Sequence, residues 1–330
     1  MRHCTSNIAR WDGTTWRPVG GGINSLVSAL ACDDKNLYAA GQFTSAGGIA
    51  ATNIAKWDGS HWVPLGSGIP LVNEGGMMVG AVDSLTVCGS DLFAGGRFRR
   101  AGDVFATNIA RWEGTNWYAL GDGLNGAVRA LAAVGRLLFT GGEFRRAGGV
   151  AATNVAFWDG SDWHSLGSGV NDGLSVLALT ANGHTLFAGG SFRTIGGTVA
   201  RRIAQWDGVD WSALGSGFGG GLGDAGIGVL AANGAELFAG GFFSNVGGKP
   251  STNIALWHIP HSLNIRRAES QIAVSWPATG TNFIPETKDA LDGTSWQPVL
   301  QAPAILDDHL VVTNAISSGA GFYRLRRKPW

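Results

Sequence analysis

Asn53-Ile54-Ala55-Lys56-Trp57-Asp58-Gly59-Ser60-His61-Trp62-Val63-Pro64-Leu65-Gly66 is one instance of a phrase that starts again at Asn7, Asn108, Asn154, Arg202 and Asn253. The starts are separated by 46, 55, 46, 48 and 51 residues, a repeat of about 49. Ile54 to Trp57 alternates large and small side chains, Asp58-Gly59 supplies the chemistry of a tight turn, and Trp62 to Leu65 returns as a second strand. The same hairpin is written at Trp11 to Trp16, Trp112 to Trp117, Trp158 to Trp163 and Trp206 to Trp211.

Two further strands recur between hairpins. One is of the type Val27-Ser28-Ala29-Leu30, repeated at Val128 to Leu131 and Val176 to Leu179. The other is Leu92-Phe93-Ala94-Gly95-Gly96, with counterparts at Leu37, Leu138, Leu186 and Leu237. No segment keeps a 3.6-residue apolar period, so helix is expected to be nearly absent. Four short strands about every 49 residues predict an all-β chain, a β-propeller of about five four-stranded blades, in which each twisted sheet buries a face against the next. The Gly-Gly pairs are expected to form flat patches on which the paired tryptophans, such as Trp112 and Trp158, lie.

The Asn-Ile-Ala strand occurs six times and its companions five. Two readings follow. In one, the Trp11 to Val19 hairpin joins the strands near Val229 and Leu237 and completes a fifth blade from both termini. In the other, the chain starts inside a repeat and upstream sequence is lacking.

Composition narrows the function classes. Of 330 residues, 53 are Gly, 14 are Trp and 15% are charged, with 45% apolar, so the chain is neither disordered nor collagen-like. Lys plus Arg and Asp plus Glu number 24 each; this balance lacks the cationic footprint of nucleic-acid binders, and no nucleic-acid partner is expected. No apolar run is long enough for a membrane span, and Met1-Arg2-His3-Cys4 does not open an apolar secretory leader. Cys4, Cys32 and Cys88 form no Cys-x-x-Cys pair and read as incidental thiols.

In order, Val-x-Ala-Leu, Leu-Phe-Ala-Gly-Gly-x-Phe, Ala-Gly-Gly, Asn-Ile-Ala-x-Trp-Asp-Gly and Trp-x-x-Leu-Gly resemble kelch-type and delta-60-type propeller repeats of secreted bacterial proteins, over roughly residues 7 to 257. The resemblance implies an extracellular or cell-surface setting. The repeat domain is assigned to 1–260. In 261–330 Gly density falls, and short alternating runs at Leu263, Ile272 to Pro277, Phe283, Trp296 to Val299, Leu310 to Val312 and Phe322 to Leu325 predict a small β-sandwich-like domain. Its Val-Ser-Trp-Pro and Phe-Tyr-Arg-Leu-Arg strings resemble fibronectin-type-III-like appended domains, which implies attachment rather than chemistry.

Candidate chemistry is sparse. There is no Gly-x-Ser-x-Gly, and Ser67, Ser168 and Ser216 recur from blade to blade as turn residues. His258 and His261 lack accompanying ligands and read as linker. Asp12, Asp58, Asp159 and Asp207, with Glu113 in the remaining unit, fall in Trp-Asp-Gly or Trp-Glu-Gly turns without the oxygen density calcium needs, and Gly219-Gly220-Gly221 lacks the Lys-Ser/Thr of a phosphate loop. No cofactor, metal or catalytic residue is therefore expected. One asymmetry stands out: the loops after the Gly-Gly strands carry Arg97, Arg99 and Arg100, then Arg145 and Arg146, then Arg193, while the flanking units have Phe43-Thr44-Ser45 and Phe243-Ser244-Asn245. Such an arc of guanidinium groups suits a protein or anionic glycan surface; the alternative is a solvated face partly compensated by Asp103 and Glu143. The expected function is a non-catalytic binding or scaffolding module, not an enzyme. A carbohydrate-active lyase or glycosidase with paired carboxylates at the propeller axis is the second reading, and a fragment without independent activity the third.

Overall fold

A computed structural model describes residues 7–74, 77–170, 174–219, 226–259, 264–268, 271–277, 283–288, 296–299, 301–306, 309–315 and 322–327, and among these there is no helix. The chain divides into two compact units, Met1–Ala231 with Ala239–Ala255 and Ala232–Phe238 with Leu256–Trp330.

The first unit is built of propeller blades. Blade I orders Leu26–Cys32, Leu37–Gln42, Ile54–Trp57 and Trp62–Pro64; blade II orders Ala81–Cys88, Asp91–Arg97, Ile109–Trp112 and Trp117–Ala119. Blade III is Ala127–Val134, Leu137–Glu143, Val155–Trp158 and Trp163–Ser165, and blade IV is Val176–Asn182, Thr185–Gly190, Ile203–Trp206 and Trp211–Ala213. Each blade is an antiparallel meander that begins on the Val-x-Ala-Leu strand and ends on the second tryptophan. The repeated phrase is therefore the outer half of a blade. A three-stranded sheet, Ile227–Ala232, Glu236–Gly241 and Ile254–His258, follows and is shared in sequence between the two units.

Closure through both termini is not what the structure shows. Ala9–Trp11 and Trp16–Pro18 form a two-stranded sheet of their own, and Ile254–His258 holds the third-strand position of the last sheet. A strand only a short loop away in sequence fills that position at smaller entropic cost than one from the far end of the chain.

The cores lie between blades. Tyr38, Ala40, Ile54, Leu65 and Ile69 from blade I and its exit loop pack with Val82, Leu85, Leu92, Phe98 and Trp117 of blade II. Equivalent clusters join blade II to blade III and blade III to blade IV.

The two glycines of each Gly-Gly pair have different work, and neither carries a tryptophan. A Cβ on Gly95 would lie 2.5 Å from Val128 Cγ1 of the next blade, and one on Gly141 2.5 Å from Val176 Cγ1. A Cβ on Gly96 or Gly142 would lie 2.1 Å from the carbonyl oxygen of Ala81 or Ala127 in the same blade, beside a β-bulge in the first strand. The indole-on-glycine contact does exist, but on other glycines. Trp117 lies over Gly102 and Trp163 over Gly148, while Trp112 approaches Gly66 and Trp158 approaches Gly121. The expected partner is thus corrected: the Gly-Gly strand is flat to admit the next blade's β-branched side chain, whereas loop glycines receive the indoles.

In the Trp-Asp-Gly turns the carboxylates are spent locally. Asp58 Oδ1 accepts from the backbone of Ser60 at 2.8 Å and of His61 at 2.7 Å. The His61 and Ser60 N–H groups lower its pKa from 3.8 to about 2; Asp12 and Asp159 are lowered in the same direction. A depressed folded-state pKa contributes stability above the unfolded value that is lost as the pH falls toward the folded one. The melting temperature is accordingly expected to hold above about pH 5 and to fall between about pH 4 and 2, with a shallower acid limb in Asp58→Ala than in the parent by scanning calorimetry. An unchanged acid limb would remove the turns from the account.

The second unit holds a four-stranded sheet, Asn264–Ala268, Gln271–Pro277, His309–Ala315 and Ala304–Leu306, and a three-stranded one, Gln297–Pro298, Phe283–Lys288 and Phe322–Arg327. Trp276, Leu310 and Val312 of the first sheet pack with Val299 and Leu325 at the second, a small sandwich core. Glu286 is buried there, ion-paired with Arg324 and Arg326.

Candidate functional site

Between its second and third strands every blade carries a miniature hairpin: Ser45–Ala46 with Ile49–Ala50, Arg100–Ala101 with Val104–Phe105, Arg146–Ala147 with Val150–Ala151, and Thr194–Ile195 with Thr198–Val199. Each is tied to the preceding sheet's exit loop by a recurring backbone bond, Gly47 N to Gly22 O, Gly102 N to Gly68 O, Gly148 N to Gly123 O and Gly196 N to Gly169 O, at 2.7–2.8 Å. Repetition of this bond places all the miniature hairpins on one face.

The asparagine that opens the phrase holds each hairpin from below. Asn108 sits at φ 65°, accepts from Phe98 N through Oδ1 at 3.2 Å and donates to Leu124 O at 2.8 Å. Asn53 does the same with Phe43, Ile69 and Gly80. Arg202 takes this place in blade IV at φ 69°, bonding Phe218 O through its guanidinium, while its buried Nε has no hydrogen-bond partner among the described residues. Asparagine suits the site because it tolerates the left-handed region and carries both an acceptor and a donor.

Arg97, Arg99, Arg145, Arg146 and Arg193 are exposed on this face. Arg100 is half-buried: its guanidinium stacks 3.7 Å from the centroid of Phe105 and donates to Asp103 O at 3.3 Å. Arg146 donates to Gly149 O at 2.7 Å. Of the two carboxylates expected to compensate them, Glu143 is engaged by another arginine. Glu143 accepts from Arg129 Nε at 3.1 Å, and Asp103 meets Arg100 through its backbone carbonyl. A surface cavity of about 460 Å³ opens beside Arg145, between Glu143, Phe144, Thr153, Asn154, Val170 and Ser175.

Two features escape the sequence. Large apolar side chains stand exposed on the same hairpins: Phe105 at 73%, Val199 at 69%, and Ile49 and Val150 less so. A β-sequence gives no sign of this, because a two-residue strand has the same letters as a core strand. The second is an ion-pair cluster at the first-strand bulges, where Arg129 bridges Asp83 at 2.9 Å and Glu143 at 3.1 Å. Burial opposes the charge on Arg129, but Glu143 and Asp83 outweigh it and hold the guanidinium charged.

His258 is exposed with Nδ1 3.9 Å from Glu236, while His261 and Cys4 lie outside the described residues. Cys32 and Cys88 are free thiols. Among the described residues no group of three metal-ligating side chains occurs, and no helix is long and apolar enough to cross a membrane.

The strand order and repeated inter-blade contacts define an all-β propeller-type repeat protein. No family model matches the chain, and no curated protein does. Solved structures similar to it include YCF48 bound to D1 peptide (16% identity, 82% of this chain and 83% of that one, TM-score 0.41). YjhT is similar at 15% identity over 80% and 88%, TM-score 0.45, and the WD40 propeller domain of Doa1 at 11% over 67% and 91%, TM-score 0.29.

Proposed function

We propose that this chain is a non-catalytic binding module of the cell surface or extracellular space, and that its ligand lies across the miniature hairpins of blades II to IV. The observation that carries this is the alternation, on one face, of Arg99, Arg100, Arg145, Arg146 and Arg193 with the exposed Phe105, Val150 and Val199. Guanidinium forks meet carboxylates with paired hydrogen bonds, and the apolar side chains offer contact area between them. This combination favours an acidic protein segment with apolar side chains over an anionic glycan, which would use the cations alone.

The test uses the full chain with two immobilised probes, a peptide alternating Glu with Leu and a sulfated oligosaccharide. The expected result is salt-sensitive retention on the peptide, weakened at least about tenfold by reversing Arg99, Arg100, Arg145 and Arg146 to Glu and by Phe105→Ser separately. Retention on the oligosaccharide alone would reassign the face to glycans. Indifference of peptide binding to the charge reversal would end the proposal.

A further inference from the structure

In the second unit, the sheet of Gln297–Pro298, Phe283–Lys288 and Phe322–Arg327 turns one face to the sandwich core and carries charge on the other. Leu325 packs with Trp276, so its neighbours Arg324 and Arg326 lie on the opposite face, where the ladder sets Arg324 across from Glu286 and Arg326 across from Ile284. Lys288 and Trp296 belong to the same face. Arg324 Cζ stands 4.5 Å and Lys288 Nζ 5.9 Å from the Trp296 ring centroid.

Glu286 is on the central strand of this sheet, and its side chain is only 5% exposed, a costly place for a carboxylate. Both of its oxygens are engaged. Oε2 meets Arg324 Nε at 2.8 Å and Nη2 at 2.7 Å, and Oε1 accepts from Arg326 Nε. The two arginine side chains nonetheless keep 47% and 41% of their surface exposed. Two guanidinium charges against one carboxylate leave one positive charge on this cluster, and both cations are tethered from the sheet side. A free surface arginine gives up side-chain entropy when it grips a ligand; here the carboxylate has already held the pair, and the Trp296 ring supports Arg324.

We infer that this face of the second unit binds an anionic glycan, whose carboxylate or sulfate groups accept charge-assisted hydrogen bonds from the N–H groups of Arg324 and Arg326 that Glu286 does not take. Glu286 is a positioning residue, since it touches the arginines and not the ligand. The choice of a glycan follows from the contrast with the miniature hairpins. There the exposed Phe105 and Val199 stand among the arginines, whereas Trp296 is half-buried beneath Arg324, so that the described residues of this face offer cations and no projecting apolar anchor.

The test measures retention of the full chain on three immobilised probes of equal length, an oligogalacturonate, a sulfated oligosaccharide and an uncharged oligosaccharide. Salt-sensitive retention is expected on one or both charged probes and not on the uncharged one, and the probe that retains the chain identifies the oxyanion. Arg326→Gln leaves Glu286 paired with Arg324 and removes the excess charge; it is expected to weaken retention at least about tenfold, with the melting temperature measured alongside to separate a lost contact from a lost fold. Glu286→Gln separates positioning from charge. It adds a net positive charge, so charge alone would tighten binding, whereas loss of the tether is expected to weaken it about threefold or more. Equal or tighter binding in Glu286→Gln, retention indifferent to Arg326→Gln, equal retention on the uncharged probe, or no retention on either charged probe overturns the inference.

Discussion

Trp117→Ala is expected to lower the free energy of unfolding by about 4 kcal/mol, read as a shift of the urea midpoint. Trp117 is 5% exposed, so truncation removes most of a large apolar surface from the seam between blades I and II. The ring also lies 5.2 Å, centroid to centroid, from Trp112 and donates to Leu65 O at 3.0 Å. Of these, the lost burial dominates. A neutral hydrogen bond is worth about 1 kcal/mol, and Leu65 O keeps a second donor in Gly68 N. Trp117→Phe, which keeps a ring but loses the donor, is therefore expected to cost about half as much as Ala or less. Equal losses for the two variants would mean that the hydrogen bond governs the seam.

The phrase at Asn53 reveals the blade because alternation, the Asp-Gly turn and the second tryptophan all belong to one hairpin, and hairpins are local. What it hides is long-range. Nothing in Leu92 to Gly96 says that Gly95 must admit Val128 from the next sheet while Gly96 must clear the carbonyl of Ala81; the two letters are identical and their neighbours differ. The closure expected between Trp11 and Leu237 fails for a related reason. Ile254–His258 competes for the same edge, and sequence letters cannot rank two strands of the same phrase. On the candidate face the arginines were legible as an asymmetry between repeats. Phe105 and Val199 were not, since an apolar residue beside a glycine turn reads as core until the short hairpin is seen to project it outward.

The asparagine at the head of the phrase carries the other large effect. Asn53 is 2% exposed at φ 62°, accepts from Phe43 N at 3.0 Å, and donates to Ile69 O at 2.8 Å and Gly80 O at 2.7 Å. Asn53→Ala removes all three bonds in the core and places an alanine in the left-handed region, which itself costs about 1–2 kcal/mol. With buried backbone groups left unsatisfied, a total loss of about 4 kcal/mol is expected by urea denaturation. Asn53→Gly separates the contributions: it relieves the backbone but restores no bond, so it should lie about 1 kcal/mol above Ala and well below the parent. Asn53→Asp supplies the sign. Its carboxylate would face two carbonyl oxygens that now receive N–H groups, an arrangement that raises its folded-state pKa. A raised carboxyl pKa makes the ionised form the destabilised one, so this variant should gain stability relative to the parent as the pH falls through that raised value, opposite to the acid limb expected from the Trp-Asp-Gly turns. If instead Asp and Asn behave alike from pH 7 to pH 4, the two donated hydrogen bonds do not hold the miniature hairpin to its neighbour, and the face that carries Arg99 to Arg193 is fixed by packing alone.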